Sequence, residues 1–170
     1  MYDELGRHQE ALDQLNALAA LEPGRPERLV SLGLAYARLG RRDEAVLTLG
    51  RASERHPDSS LVYTALGRVW LQAADRQKDP AALGKALRAL KAAAESASAS
   101  SEALTLYGRA LYLSGNITQA ERTLQRAVAK LPIEPLAFRY LGETARRLGH
   151  TVTAREADRR YAALTSAPAL

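Results

Sequence analysis

The chain has 170 residues, of which 46% are hydrophobic and 25% charged, so its composition is that of a folded globular protein and argues against disorder. No apolar stretch approaches the ~20 residues that a membrane-spanning helix requires. The formal net charge is +5, but bases and acids alternate along the chain instead of forming a block, so nucleic-acid binding is not expected.

Metal sites, cofactors and catalytic residues are not expected either. There is no cysteine, and His8, His56 and His150 are too far apart in sequence for a ligand cluster. No Ser-His-Asp set or Gly-rich phosphate loop points to an enzyme. Residues 1–4 show no signal peptide. The wealth of arginine and alanine suggests a GC-rich bacterial genome, and the lack of cysteine leaves cytoplasm and periplasm open as the compartment.

Apolar residues spaced three and four apart predict nine helices and no strand. In chain order the expected helices span residues 7–21, 27–39, 43–55, 60–77, 80–97, 101–114, 118–131, 135–148 and 151–165. Turn residues separate them: Gly40 and Gly115 lie in two of the turns, and Asp79 followed by proline starts a helix. Thr118, with Glu121 three residues later, fits a capping box.

A glycine recurs in four of these helices, at Gly33, Gly67, Gly108 and Gly142, with spacings of 34, 41 and 34 residues. Twelve residues after Gly33 and Gly108, and nineteen residues after Gly67, an alanine is followed four residues later by a leucine. These pairs are Ala45 and Leu49, Ala86 and Leu90, and Ala120 and Leu124. Small residues at a crossing point let two helix backbones approach, so we expect successive helical hairpins.

These columns resemble the tetratricopeptide repeat, which has a large residue, then Leu-Gly, an aromatic residue, Ala with a second large residue, and Pro. The resemblance covers essentially the whole chain. It implies an all-α, alpha-alpha superhelix, a solenoid of antiparallel hairpins. We expect one solenoid domain over 1–165 and a tail or linker at 166–170. The repeats are expected at 26–59, 60–100, 101–134 and 135–165, after a partial repeat at 1–25.

The start of the chain departs from the repeat pattern. Tyr2 and Gly6 fall 34 residues before Tyr36 and Gly40, so a turn is expected at Gly6, after the end of an earlier helix. The helix that follows would leave an apolar face partly uncovered, formed by Leu12, Leu15 and Leu18. We interpret this as the C-terminal portion of a longer array. Self-association through the uncovered edge is an alternative.

Two further departures concern the middle and the end. The longer spacing between Gly67 and Gly108 places seven extra residues near 73–80, enough to add about one turn of ~3.6 residues to each helix of that hairpin. That hairpin should protrude. In the last hairpin Asp158 stands where a large apolar residue is expected, so helix 151–165 has the polar character of a terminal cap.

In the tetratricopeptide family the first helix of each hairpin lines a concave groove, so the resemblance implies a binding surface there. Helical spacing selects Thr64 and Thr105 in those helices and, as the main candidates, Arg38, Arg68, Gln72, Arg109, Tyr112, Arg139, Glu143 and Arg146. Arginine and tyrosine suit carboxylates and extended backbone, although exposed arginines are often merely solvated.

We therefore expect a protein-protein interaction scaffold, not an enzyme, that binds an extended or acidic peptide segment of a partner in this groove. Two alternatives stand beside it. One is an RNA-binding helical-repeat protein, and the other is a regulatory or assembly domain of a larger enzyme.

Overall fold

The computed structural model describes the backbone of residues 2–166 and the side chains of residues 9–75 and 78–166. This part contains nine helices and no strand, which confirms the predicted all-α class. The helices are α1 Tyr2–Leu21, α2 Pro26–Arg38, α3 Arg42–Arg55, α4 Ser60–Gln77, α5 Pro80–Glu95, α6 Ser101–Leu113, α7 Ile117–Val128, α8 Pro135–Leu148 and α9 Thr151–Thr165. None of them is long and apolar enough to cross a bilayer.

Four helical hairpins follow α1, formed by α2 with α3, α4 with α5, α6 with α7, and α8 with α9. In the first three, a leucine of the second helix packs on a glycine of the first. Leu49, Leu90 and Leu124 are completely buried. A Cβ atom built on the glycine opposite Leu90, Gly67, would lie 2.4 Å from the leucine Cγ atom. The recurring glycines and the recurring leucines of the sequence therefore contact each other within each of these three hairpins.

Two buried serines join the ends of a hairpin. Ser60 Oγ at the start of α4 donates to the Ala93 carbonyl near the end of α5, at 3.0 Å. Ser101 Oγ makes the same 3.0 Å bond to the Ala127 carbonyl of α7. Each hydroxyl donates to a carbonyl near the C-terminal end of the neighbouring helix, where the last carbonyls have no acceptor role within the helix itself.

Replacing Ser101 with alanine should lower the free energy of unfolding by about 0.5–1.5 kcal/mol, because the Ala127 carbonyl loses its side-chain donor but keeps the Lys130 N–H. Urea denaturation measures this. Ser31→Ala is the matched control, since the Ser31 hydroxyl is exposed and bonds only to Glu27 within its own helix. An equal change in both variants would show that the hydroxyl bond between α6 and α7 adds nothing.

The hairpin of α4 and α5 is the longest, with 18 and 16 residues against 13 in both α2 and α6. Three hairpins turn through a glycine with positive φ, as at Gly40 (φ 76°). The long hairpin instead turns through Lys78 at φ 49°, and the Asp79 carboxylate then accepts from the Ala81 N–H at 2.8 Å. The extra turn of α4 carries Asp75 beyond the level at which the other first helices end.

The predicted turn at Gly6 is wrong, because α1 continues from Tyr2 through Gly6. A glycine inside a helix costs about 1 kcal/mol relative to alanine but does not end it, and its neighbours Leu5 and Arg7 are good helix formers. The apolar face of α1 is half covered: Leu12 is buried, whereas Leu18 is 38% exposed. Self-association through this edge stays a prediction. Residues 167–170 of the predicted tail lie outside the described residues.

The predicted capping box of Thr118 and Glu121 is also wrong. Helix α7 begins at Ile117, so both residues are inside the helix, and Asn116 precedes it without a side-chain cap. The Glu121 carboxylate lies 2.8 Å from His150 Nδ1 instead. The turn at Gly115 brings the chain into the helix earlier than the sequence pattern indicated, and the carboxylate finds a partner in the next hairpin.

Candidate functional site

The hairpins form an inner and an outer layer. The inner helices, α2, α4, α6 and α8, each contact the next inner helix along the chain. Within the described residues, the outer helices α3, α5, α7 and α9 make no such contacts with one another. Because one layer is close-packed and the other is spread apart, the array curves, and the inner helices form its concave side.

Two adjoining clefts lie on this concave side. The central cleft, of about 280 Å³, lies between α4, α6 and α8. It is lined by Arg68, Leu71, Gln72, Asp75, Glu102, Thr105, Leu106, Arg109, Glu134, Leu136 and Tyr140. The side cleft, of about 210 Å³, is lined by Arg109, Tyr112, Leu113, Arg139, Tyr140 and Glu143. Arg109 and Tyr140 belong to both, so the two clefts are continuous.

Six of the eight residues predicted for the groove line these clefts: Arg68, Gln72, Arg109, Tyr112, Arg139 and Glu143. Arg38 is exposed on α2, outside both linings. Arg146 also lies outside them and donates through Nη1 to Asp158 of α9 at 2.5 Å. Asp158 therefore lies over Gly142, at the position that a leucine holds in the other hairpins, and it forms an ion pair with Arg146.

The cleft arginines already have acidic partners. Arg68 forms an ion pair with Glu102, and Arg109 forms one with Asp75. Arg109 also donates to the Tyr140 hydroxyl at 2.6 Å. Arg139 is paired with Glu143 of the same helix at 3.2 Å. A ligand carboxylate would therefore have to replace one of the protein's own carboxylates.

Arg68 is half-buried in the central cleft. Burial lowers the pKa of its guanidinium, the Glu134 carboxylate opposes this shift, and the nearby Arg38 adds to it. The group stays charged at any physiological pH, since the ordinary pKa of arginine is above 12. The partial burial means that its interactions are less screened by water than those of a surface arginine.

Sequence reasoning missed the apolar residues at the base of the central cleft and the acidic residues that line it. Leu106 and Tyr140 each lie two residues before a repeat glycine, so aligning the repeats on the glycines would have found them. Asp75 lies in the seven-residue insertion. Thr64 and Thr105, which were predicted for the groove, are almost fully buried, and their hydroxyls bond to carbonyls within their own helices. Among the described residues there is no metal-binding cluster.

The tetratricopeptide repeat family model matches residues 4–69 and 77–138, which is most of the chain. This protein therefore belongs to the tetratricopeptide repeat family. No curated protein sequence matches it significantly.

Several solved structures share the fold. MamA from Desulfovibrio magneticus RS-1, residue 41 to the end, is 26% identical with a TM-score of 0.72, covering 96% of this chain and 88% of that one. The thermophilic TPR protein TTC0263 of Thermus thermophilus is 24% identical with a TM-score of 0.72, covering 95% of this chain and 84% of that one.

The APC/C hetero-tetramer Cut9-Hcn1 contains a chain that is 19% identical, with a TM-score of 0.75. It covers 96% of this chain but only 30% of that one. At these identities, the Thermus and Cut9-Hcn1 structures show the shared fold alone.

Proposed function

We propose that this protein is a protein-binding scaffold whose central cleft holds an extended segment of a partner protein. The observation that carries the proposal is a continuous cleft across three consecutive inner helices. Packed helices lie about 8–10 Å apart, so a segment that crosses from α4 to α8 spans roughly 20 Å, or about six residues in extended conformation.

The floor of the cleft supports an apolar anchor in that segment. Leu106 is partly exposed and Leu136 is 38% exposed, and Leu71 lies beneath them, almost fully buried. Covering a large apolar side chain is worth about 1.5–3 kcal/mol, more than an exposed ion pair contributes. The leucines, not the arginines, are therefore proposed to supply most of the affinity.

The charges of the central cleft do not favour a strongly acidic segment. Three carboxylates, those of Asp75, Glu102 and Glu134, line it beside two guanidiniums, those of Arg68 and Arg109. This mixture also offers no continuous track of cations for an RNA backbone. The proposed ligand is an extended segment with an apolar side chain and no large net charge. A scaffold of this kind suits a separate protein or an assembly domain of a larger enzyme, and we propose no catalytic step.

Peptides selected from a random library on the wild-type protein provide the probe. The selected peptide should bind the Leu136→Ala variant about tenfold more weakly, because the anchor loses a contact worth about 1–2 kcal/mol. Fluorescence anisotropy gives the affinities. Leu47→Ala is the matched control, since Leu47 is 54% exposed on the outer helix α3 and should leave the affinity unchanged.

Equal affinities of the two leucine variants for the peptide would show that the peptide does not bind in the central cleft. The same peptide, resynthesised with added glutamates or added lysines, tests the charge preference. A large gain from the glutamates would restore the acidic ligand that the sequence predicted.

A further inference from the structure

A cluster of bases lies on the outside of the solenoid. Two neighbouring outer helices, α5 and α7, carry a set of bases that we name the outer basic surface. It consists of Lys85, Arg88, Lys91, Arg122 and Arg126, with Lys130 just after the end of α7. Most of these side chains are exposed to solvent, and the others are half-buried.

Few acidic groups balance this surface. Glu95 is the exposed carboxylate on these two helices, and it lies 3.8 Å from Lys91, a weak pair. Glu121 is buried beside His150. In the described part of the chain, neither Arg88 nor Arg122 has a carboxylate within ion-pair distance, whereas the arginines of the inner clefts are paired.

The two rows of bases are adjacent. The backbones of α5 and α7 stay apart, but two bases of the second row reach across to the first. Arg126 Nη2 donates to the Ala94 carbonyl in the last turn of α5, at 3.5 Å. Lys130 Nζ donates to the Ala99 carbonyl in the loop after α5. Arg126 and Lys130 are thus held beside the end of α5, between the two outer helices.

Only some of these bases serve the fold: Arg126 and Lys130 bond to backbone carbonyls, and Lys85 Nζ lies 4.3 Å from the centre of the Trp70 ring. Arg122 and Arg126 are four residues apart on one helix, and Lys85, Arg88 and Lys91 follow one another at intervals of three. Like charges at these spacings repel and destabilise a helix. In the part of the chain that the structure describes, Arg88 and Arg122 lack an acidic partner and add to this repulsion, which an anionic partner would relieve.

The same two helices indicate what kind of anion fits. Neither helix contains an aromatic residue, and the half-buried Trp70 ring of α4 is covered by the Lys85 ammonium group, which disfavours stacking of single-stranded RNA bases. Neither helix exposes a large apolar side chain, and the exposed Leu131 and Ile133 that follow Lys130 lie in a loop and form no amphipathic helix that could insert into a bilayer. Arginines bind carboxylates through two parallel hydrogen bonds, which needs neither feature. We propose that the outer basic surface is a second interaction surface, separate from the central cleft, and that it binds an acidic segment of a partner protein.

A labelled polyglutamate peptide is the probe, and its binding is measured by anisotropy at physiological ionic strength. The Arg88→Gln, Arg122→Gln double variant should bind it about fivefold more weakly, as expected for two exposed charge pairs. The matched control is Arg51→Gln, Arg55→Gln on α3, which removes the same charge from exposed sites of another outer helix. It should change the affinity less than about twofold, through the net charge alone.

Circular dichroism and the melting temperature establish that both double variants fold. The Leu136→Ala variant should bind polyglutamate as the wild type does, which separates this surface from the cleft. Equal losses in the two double variants, or no binding to the wild type, would overturn the proposal. Tighter binding of oligouridylate or of phosphatidylserine vesicles than of polyglutamate would replace the proposed partner by a nucleic acid or a membrane.

Discussion

Replacing Gly67 with alanine is expected to lower the free energy of unfolding by up to about 2 kcal/mol, although alanine is the better helix former. The new Cβ atom would lie 2.4 Å from Leu90 Cγ and 2.5 Å from one of its methyl carbons. Overpacking of this kind costs about 1–3 kcal/mol, against a helix-propensity gain of about 1 kcal/mol. Because Leu90 is completely buried, it has little room to move away.

Gly50→Ala in α3 is the matched control for this prediction. No atom lies within 4 Å of a Cβ atom built on Gly50, so the helix-propensity gain is unopposed. That variant should be stabilised by about 0.5–1 kcal/mol. Chemical denaturation of both variants gives the comparison, and a stabilised Gly67 variant would mean that the hairpin can separate to accept a methyl group.

Truncating Leu90 to alanine is expected to have the largest effect of any single change, a loss of about 2–5 kcal/mol. The leucine is fully buried in the largest apolar cluster of the chain, and it fills the space above Gly67. Its removal leaves a cavity at the crossing of α4 and α5. The loss is measured as a shift in the midpoint of urea unfolding at an unchanged slope.

Leu47→Ala should cost less than about 0.5 kcal/mol, since that side chain is 54% exposed. The variant with both Gly67→Ala and Leu90→Ala tests whether the two residues act through one contact. Its loss should be smaller than the sum of the single losses, because the alanine methyl enters the space that the leucine vacates. Additive losses would contradict the packing of Leu90 on Gly67.

The repeat pattern was enough to predict the hairpins, because the glycine and leucine columns encode a local contact between consecutive helices. The sequence placed Gly67 and Leu90 on the two helices of one hairpin, and the structure shows that they contact each other. Lys78 shows where such reasoning stops. The other hairpins have a glycine at their turn. Lys78 adopts the left-handed backbone conformation although it is not a glycine, and the packing of the two long helices around it fixes that conformation.

The cleft was predicted less well, because its chemistry depends on side chains from different hairpins. The sequence showed Arg68 and Arg109 as candidate cations, but their acidic partners, Glu102 and Asp75, each lie 34 residues away on another inner helix. No local pattern reveals such a pair. The expected acidic ligand followed from seeing the cations alone, and the outer face, where the described Arg88 and Arg122 have no acidic partner, carried no motif to draw attention to it.

The ion pair that replaces leucine in the last hairpin makes α9 energetically separable from the rest of the solenoid. Asp158 is half exposed, and α9 buries only small side chains, those of Ala154 and Ala157. In a repeat array each unit is stabilised chiefly by its direct neighbours. Local opening of α9 therefore breaks few apolar contacts and leaves the leucine-glycine contacts of the other hairpins closed.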